Sequence, residues 1–153
     1  MTDSTMDHTP GAPLGQMAGT TTVQGRGTFE VTLTPLATYH DAADAHFGRR
    51  SIDKRFAGDL EGTSRGEMIT AGTAVQGSIV YSALERIEGT FAGRRGAFTV
   101  QHTGVMARGA ESLSIVVVPD SGTGELTGIA GTMGIEMVER QHHYTFEFTL
   151  PER

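Results

Sequence analysis

The chain is expected to fold as an all-β protein: a closed, eight-stranded antiparallel β-barrel, with a two-sheet sandwich as the alternative architecture. Three observations lead there. Apolar and polar residues alternate with period two from Gly25 onward. Glycine, 21 of 153 residues, falls mostly between the alternating segments, where turns and bends need it. The segments follow one another with no spacer long enough for a crossover helix, so neighbours pair as antiparallel hairpins.

The elements run as follows. Thr28–Leu33 sets Phe29, Val31 and Leu33 on one face, and Pro35 ends that strand. Residues 36–48 suit a short helical turn or an open loop, and carry Tyr39, His40 and His46. Arg49–Ala57 is a second strand, Gly58 a bend or bulge, and Asp59–Ala71 a third strand. Thr73–Ser78 turns the chain into Ile79–Glu88. Phe91–Gly96 reads as a turn, Ala97–Val105 as a strand and Ala107–Glu111 as another turn. Leu113–Val118 is rich in β-branched residues and stops at Pro119. Asp120–Gly128 is expected to be a loop or single helical turn opening at Ser121 or Thr123, with Glu125 near its start. Gly131–Glu139 and His142–Leu150 complete the eight.

The domain reading is a flexible leader over residues 1–22 and a single barrel over residues 23–153. The leader is poor in groups that could pack, and would be ordered only by docking on a neighbour. It has neither the basic nor the apolar region of a secretory signal, so the expected location is cytoplasmic. No apolar run approaches the length of a membrane span, and no membrane partner is expected.

Composition narrows the chemistry. The absence of cysteine excludes disulfides, thiolate metal sites and cysteine nucleophiles. A net charge of −6 lacks the footprint of a nucleic-acid binder. Lys54 is the only lysine; the other basic residues are arginines, paired at Arg49–Arg50 and Arg94–Arg95 and read as solvated charge rather than a phosphate site. The segment Ser121–Gly128 lacks the Lys-Ser/Thr of a P-loop, and no Gly-x-Ser-x-Gly elbow occurs. His142 and His143 face opposite sides of a strand and cannot share a metal, whereas His102 with His143 on neighbouring strands could. No metal and no cofactor are expected. The methionines are read as core filling or the wall of a soft ligand pocket.

Several strings together carry a resemblance. They are Phe56–Met68, Tyr81–Arg86, Gly89–Phe98, Gln101–Gly104, Val118–Gly128 and His143–Phe146, in that order across residues 25–150. The chain resembles the bacterial DUF3224 family, whose function is not known. That resemblance implies an allene oxide cyclase-like barrel, the superfold shared with dirigent proteins. Members of that superfold steer or cyclise hydrophobic, reactive small molecules, and many are homo-oligomers. Fold alone does not carry function. The expected partners are therefore a hydrophobic small molecule and further copies of the chain.

Alternation nominates site residues. The faces bearing Tyr81 and Phe98 are taken as the barrel interior, which brings Tyr81, Glu85 and His102 inside. Glu61 and Glu67 are further candidates on the third strand. A carboxyl beside a histidine in an apolar cavity suits general acid–base work. A tyrosine there can donate to a developing oxyanion. The structural alternative is a buried network, with Glu85 or Glu61 bound to arginine and His102 to a backbone carbonyl.

Three functions compete. The first is a small-molecule-binding barrel, acting as a cofactor-independent cyclase or isomerase. The second is a non-catalytic binding or assembly module, using apolar residues of Ile79–Leu84 and Leu113–Val118. The third is a carboxylate-dependent hydrolase using Asp59 with Glu61 or Glu67.

Overall fold

In the computed structural model, which describes residues 19–153, each alternating segment pairs with the next and the last returns to the first. The strands are β1 (Thr20–Pro35), β2 (His46–Gly58), β3 (Glu61–Gly72), β4 (Ile79–Phe91), β5 (Arg94–Ala107), β6 (Ala110–Val117), β7 (Ala130–Val138) and β8 (Gln141–Pro151). They close a barrel in that order, with every neighbour antiparallel. Closure removes free sheet edges, which an all-antiparallel chain must otherwise protect.

Three hairpins are two-residue turns: Ala92-Gly93, Arg108-Gly109 and Glu139-Arg140. Both residues of each have positive φ, from 50° to 89°. This is the conformation whose twist matches that of the flanking strands. The turns are therefore tighter than the sequence suggests. Phe91 and Arg94 are the last pair of a ladder, not part of a turn.

Most strands also start earlier or run longer than their alternation shows, β3 excepted, which begins at Glu61 instead of Asp59. Residues 20–22 belong to β1, where Thr20 and Thr22 pair with Pro151 and Thr149. The rest of the expected leader, residues 1–18, lies outside the described residues. Residues 36–45 form no helix, and a single bridge joins Ala42 to Ala45. The anticipated helical turn is a 3-10 helix, Gly124–Leu126, entered from Thr123. Thr123 Oγ1 accepts from the Ala97 N–H at 3.0 Å, tying this connection to β5 instead of capping its own helix.

The two ends of the barrel differ. One carries the tight Ala92-Gly93 turn, the Gly58–Leu60 bend and the connection of residues 118–129. Leu60, Leu126 and Ile129 are buried there beside Phe91, Phe98, Phe148 and Leu150. The aromatic rings interlock, with Phe146 stacked on Phe148 at 4.6 Å and Phe98 edge-on to Phe148 at 5.3 Å. The other end carries the loops of residues 36–45 and 73–78. Its inward positions Leu33, Leu113 and Met137 remain substantially exposed. We call these the closed and open ends. The β6–β7 ladder contributes to the opening, because it pairs only at Ile115↔Met133 and Val116↔Thr132. Toward the open end the two strands splay apart.

Tyr144 pins the closed end. Its hydroxyl accepts from the Leu60 N–H at 2.8 Å and faces the carbonyls of Leu60 at 2.9 Å and Ala57 at 3.0 Å. Tyr144→Phe leaves the Leu60 N–H buried without a partner. Urea denaturation should show a loss of about 1–3 kcal/mol, with the m-value unchanged.

Candidate functional site

Inward positions of four strands meet halfway along the barrel around one carboxylate. Glu85 of β4 is 1% exposed. Its register partner on β3 is Gly66, so no side chain stands between it and β2 at that level. Lys54 therefore reaches across from β2, and its Nζ donates to Glu85 Oε2 at 3.0 Å. Ser64 Oγ donates to Glu85 Oε1 at 2.6 Å, and His102 Nε2 lies 2.8 Å from Oε2. The Lys54 ammonium also sits 4.7 Å above the Phe29 ring and 5.8 Å from that of Phe56. Those contacts favour a cation held out of water. His142, inward on β8, stacks on the other partner of this group, Phe29, at 4.9 Å.

Two opposing effects act on the Glu85 carboxyl. Burial alone pushes it up, since desolvation penalises the charged form. The hydrogen bond from His102, the Lys54 ammonium and the Ser64 hydroxyl outweigh that and hold it at about 2, below its ordinary 4.5. Glu85 is therefore an anion at neutral pH, and an anionic carboxylate only accepts hydrogen bonds. It follows that His102 carries a proton on Nε2, and its Nδ1 is the ring nitrogen turned toward Tyr81.

That nitrogen points toward the open end. Tyr81, the next inward residue of β4 beyond Ala83, places its hydroxyl 3.5 Å from His102 Nδ1. Burial, and then the charge of Glu85, raise the Tyr81 phenol above its ordinary value, so it stays protonated. Its ring lies over Gly104 of β5, where an added Cβ would run into it. The result is a chain from a half-buried phenol through a histidine to a buried carboxylate. Such a chain can hold a proton at Tyr81 or at His102.

A concavity of about 240 Å³ opens at this end of the chain. Inward residues, among them Thr70, Tyr81, Gly104, Met106 and Leu113, form most of its wall. Larger hollows, about 600 Å³ beside β1, β7 and β8 and about 370 Å³ across β2–β5, lie on the outer surface and are walled mainly by outward residues.

The site residues suggested by alternation divide in two. Tyr81, Glu85 and His102 come together on the inner wall. Glu61 and Glu67 do not join them, because the inward positions of β3 are Gly62, Ser64, Gly66 and Met68, which turns the odd positions outward. Glu67 instead pairs with Arg49 at 2.9 Å on the outer surface. Glu61 and Glu67 stand six residues apart on one strand, about 20 Å. Asp59 lies in the bend before β3, where its carboxylate accepts from the Arg26 N–H. The partner of Glu85 is a lysine rather than an arginine, and His102 bonds this carboxylate rather than a backbone carbonyl. His143 faces outward on β8, which borders β1 and β7 and not β5, so it does not approach His102.

Two members of the cluster escaped alternation. Lys54 could have been found as a lone lysine between the apolar inward residues Ile52 and Phe56. Ser64 carries no such signal, because it is flanked on its own face by glycines.

These features define a small, closed antiparallel β-barrel with a charged cluster buried beneath one open end. The chain belongs to the DUF3224 family, described as proteins of unknown function, whose pattern matches residues 25–148. It is similar to a crystal structure of a DUF3224 protein of unknown function from Shewanella oneidensis MR-1, with 44% identity and a TM-score of 0.80. That similarity covers 84% of this chain and 97% of the other. No curated protein matches the chain. Among the described residues no helix is long and apolar enough to cross a membrane.

Glu85→Gln leaves the Lys54 ammonium buried without its counter-charge, and should cost about 3–5 kcal/mol in chemical denaturation. The low folded-state value of Glu85 contributes stability that is complete above pH 4.5 and is lost as pH falls toward about 2. Denaturation series across that window should therefore show a steeper acid loss in the wild type than in Glu85→Gln.

Proposed function

We propose that the barrel binds a small hydrophobic molecule at its open end and moves a proton on it through Tyr81, His102 and Glu85. A cofactor-independent isomerase or cyclase would work in this way. The observation that carries the reading is the placement of the relay. Its buried anchor, Glu85, is fully bonded, and its outer member, Tyr81, forms part of the wall of an apolar concavity. The resemblance to allene oxide cyclase-like barrels points to the same class of chemistry. In this reading Glu85, Lys54 and His102 are positioning residues behind Tyr81, which faces the ligand. Glu61, Glu67 and Asp59 lie outside the mouth, so a carboxylate-pair hydrolase finds less support.

A second reading, self-association, rests on a different surface. Outward residues Phe47, Ala71, Val80 and Val105 form one row across β2–β5. Leu84, Gln101 and Val116 form another, and Ile69 lies between the two. Leu84 is 57% exposed, unusual for a leucine in a sheet centre. Charges of both signs border the patch, including Arg49, Glu67, Arg65 and Arg86, so a second copy related by a two-fold axis can set opposite signs together.

Fragments found by ligand-observed NMR should concentrate at the mouth and lose at least tenfold in affinity in Leu113→Lys. Hits that bind this variant unchanged would sink the mouth as the site. Light scattering should give a multiple of 16.2 kDa for the wild type and a single 16.2 kDa unit for Leu84→Glu. A wild-type monomer at millimolar concentration counts against the second reading.

A further inference from the structure

The charge balance and hydrogen-bonding state of the mouth restrict what it can hold. We propose that the open-end cavity selects an uncharged molecule with an apolar body and one accepting oxygen, of the ketone or aldehyde class, and that the Tyr81 hydroxyl binds that oxygen. The proposal rests on the mouth being a ligand site, and adds which chemistry it accepts.

Size and lining come first. At about 240 Å³ the cavity is smaller than the pockets that enclose drug-sized ligands. Inward Ile79, Met106 and Leu113 supply an apolar wall. Such a wall returns little to a ligand that must shed many waters of hydration. The lateral opening is apolar too. Where β6 and β7 splay, the inward residues are Leu113 on one strand and Ile135 and Met137 on the other.

The hydrogen bonding points to a single acceptor. At 3.5 Å, the contact between Tyr81 and His102 Nδ1 is at the limit of a hydrogen bond. The phenol proton is thus weakly committed inside the protein and free to turn toward a ligand oxygen. Glu85 has no such freedom, since Lys54, Ser64 and His102 occupy it. Among the described residues every buried side-chain nitrogen or oxygen has a partner, so nothing deeper in the barrel calls for a second polar group on the ligand.

Charge excludes ionic ligands. The deep cluster pairs the Lys54 ammonium with the Glu85 carboxylate, so neither is left as a free counter-charge for a ligand in the mouth. A ligand carboxylate bound at Tyr81 would stand near the Glu85 anion and the Glu111 carboxylate on the wall, with like charges opposed. Arg50, the inward cation of β2 at this end, is exposed and two strands removed from Tyr81. A ligand ammonium would have to give up its hydration to an apolar wall, with the buried carboxylate already neutralised.

Three probes of equal chain length separate the cases: 2-heptanone, heptanoate and heptylamine. Backbone amides of Tyr81, Gly104 and Leu113 are followed by two-dimensional NMR during titration of the full chain. The expected result is saturable shifts with 2-heptanone and at least tenfold weaker binding of the two ions. Tyr81→Phe should weaken 2-heptanone about fivefold, the value of one neutral hydrogen bond. Equal or tighter binding of either ion overturns the selection of an uncharged ligand while leaving the mouth as a site. Unchanged affinity in Tyr81→Phe overturns the role given to its hydroxyl. If none of the three probes moves these amides, this proposal and the mouth reading beneath it both fail.

Discussion

One buried anion organises the middle of this barrel. A carboxylate out of water is tolerated only when charge and hydrogen bonds replace its hydration. At Glu85 that demand draws one donor from each of three other strands: Lys54 from β2, Ser64 from β3 and His102 from β5. Each then constrains its own surroundings. Lys54 needs the aromatic faces of Phe29 and Phe56 beside it, and the opening between β2 and β4 depends on glycine at position 66. His102 is held by its Nε2 contact with the carboxylate, and so turns Nδ1 toward Tyr81.

The same cluster divides the interior in two. Toward the closed end the inner wall is apolar and aromatic, and Tyr144 fastens the bend at Leu60 over it. Toward the open end the inner wall loses bulk, with Thr70 and Gly104 flanking Tyr81 in one row. The brief β6–β7 ladder adds width on the side away from β2. A solid base and a thin-walled mouth are a reasonable division of labour for a small barrel. Interlocked rings supply packing, and the relay stands where packing stops.

Much of this was readable from residue order, and the exceptions have physical causes. The inward faces of β4 and β5 follow from Tyr81 and Phe98, because large aromatic side chains on a half-buried strand point to the core. The rule fails on β3. Its inward face consists of Gly62, Ser64, Gly66 and Met68, with hardly an apolar group before position 68, while its outward face bears Ile69. Alternation therefore selects Glu61 and Glu67, which stand in solvent. On that strand small residues are required inside because long side chains from β2 and β4 cross in front of it. Lys54 was hidden for the converse reason: a charged residue on an apolar face looks like an exception until its counter-charge is known, and that counter-charge lies 31 positions away.

The amino-acid sequence by itself determined the class of fold, the order of the strands and the family. Period-two alternation, glycine at the bends and short connections are local properties, and each can be read within a few residues. Only the tertiary structure decided which residues share a site. Barrel closure brings β2, β3, β4 and β5 around one point, and whether a residue faces that point depends on the register of every ladder between. A glutamate in isolation is an acid with an ordinary affinity for protons. In the barrel, three donors from three strands keep Glu85 an anion at neutral pH, and no stretch of chain around Glu85 contains them all.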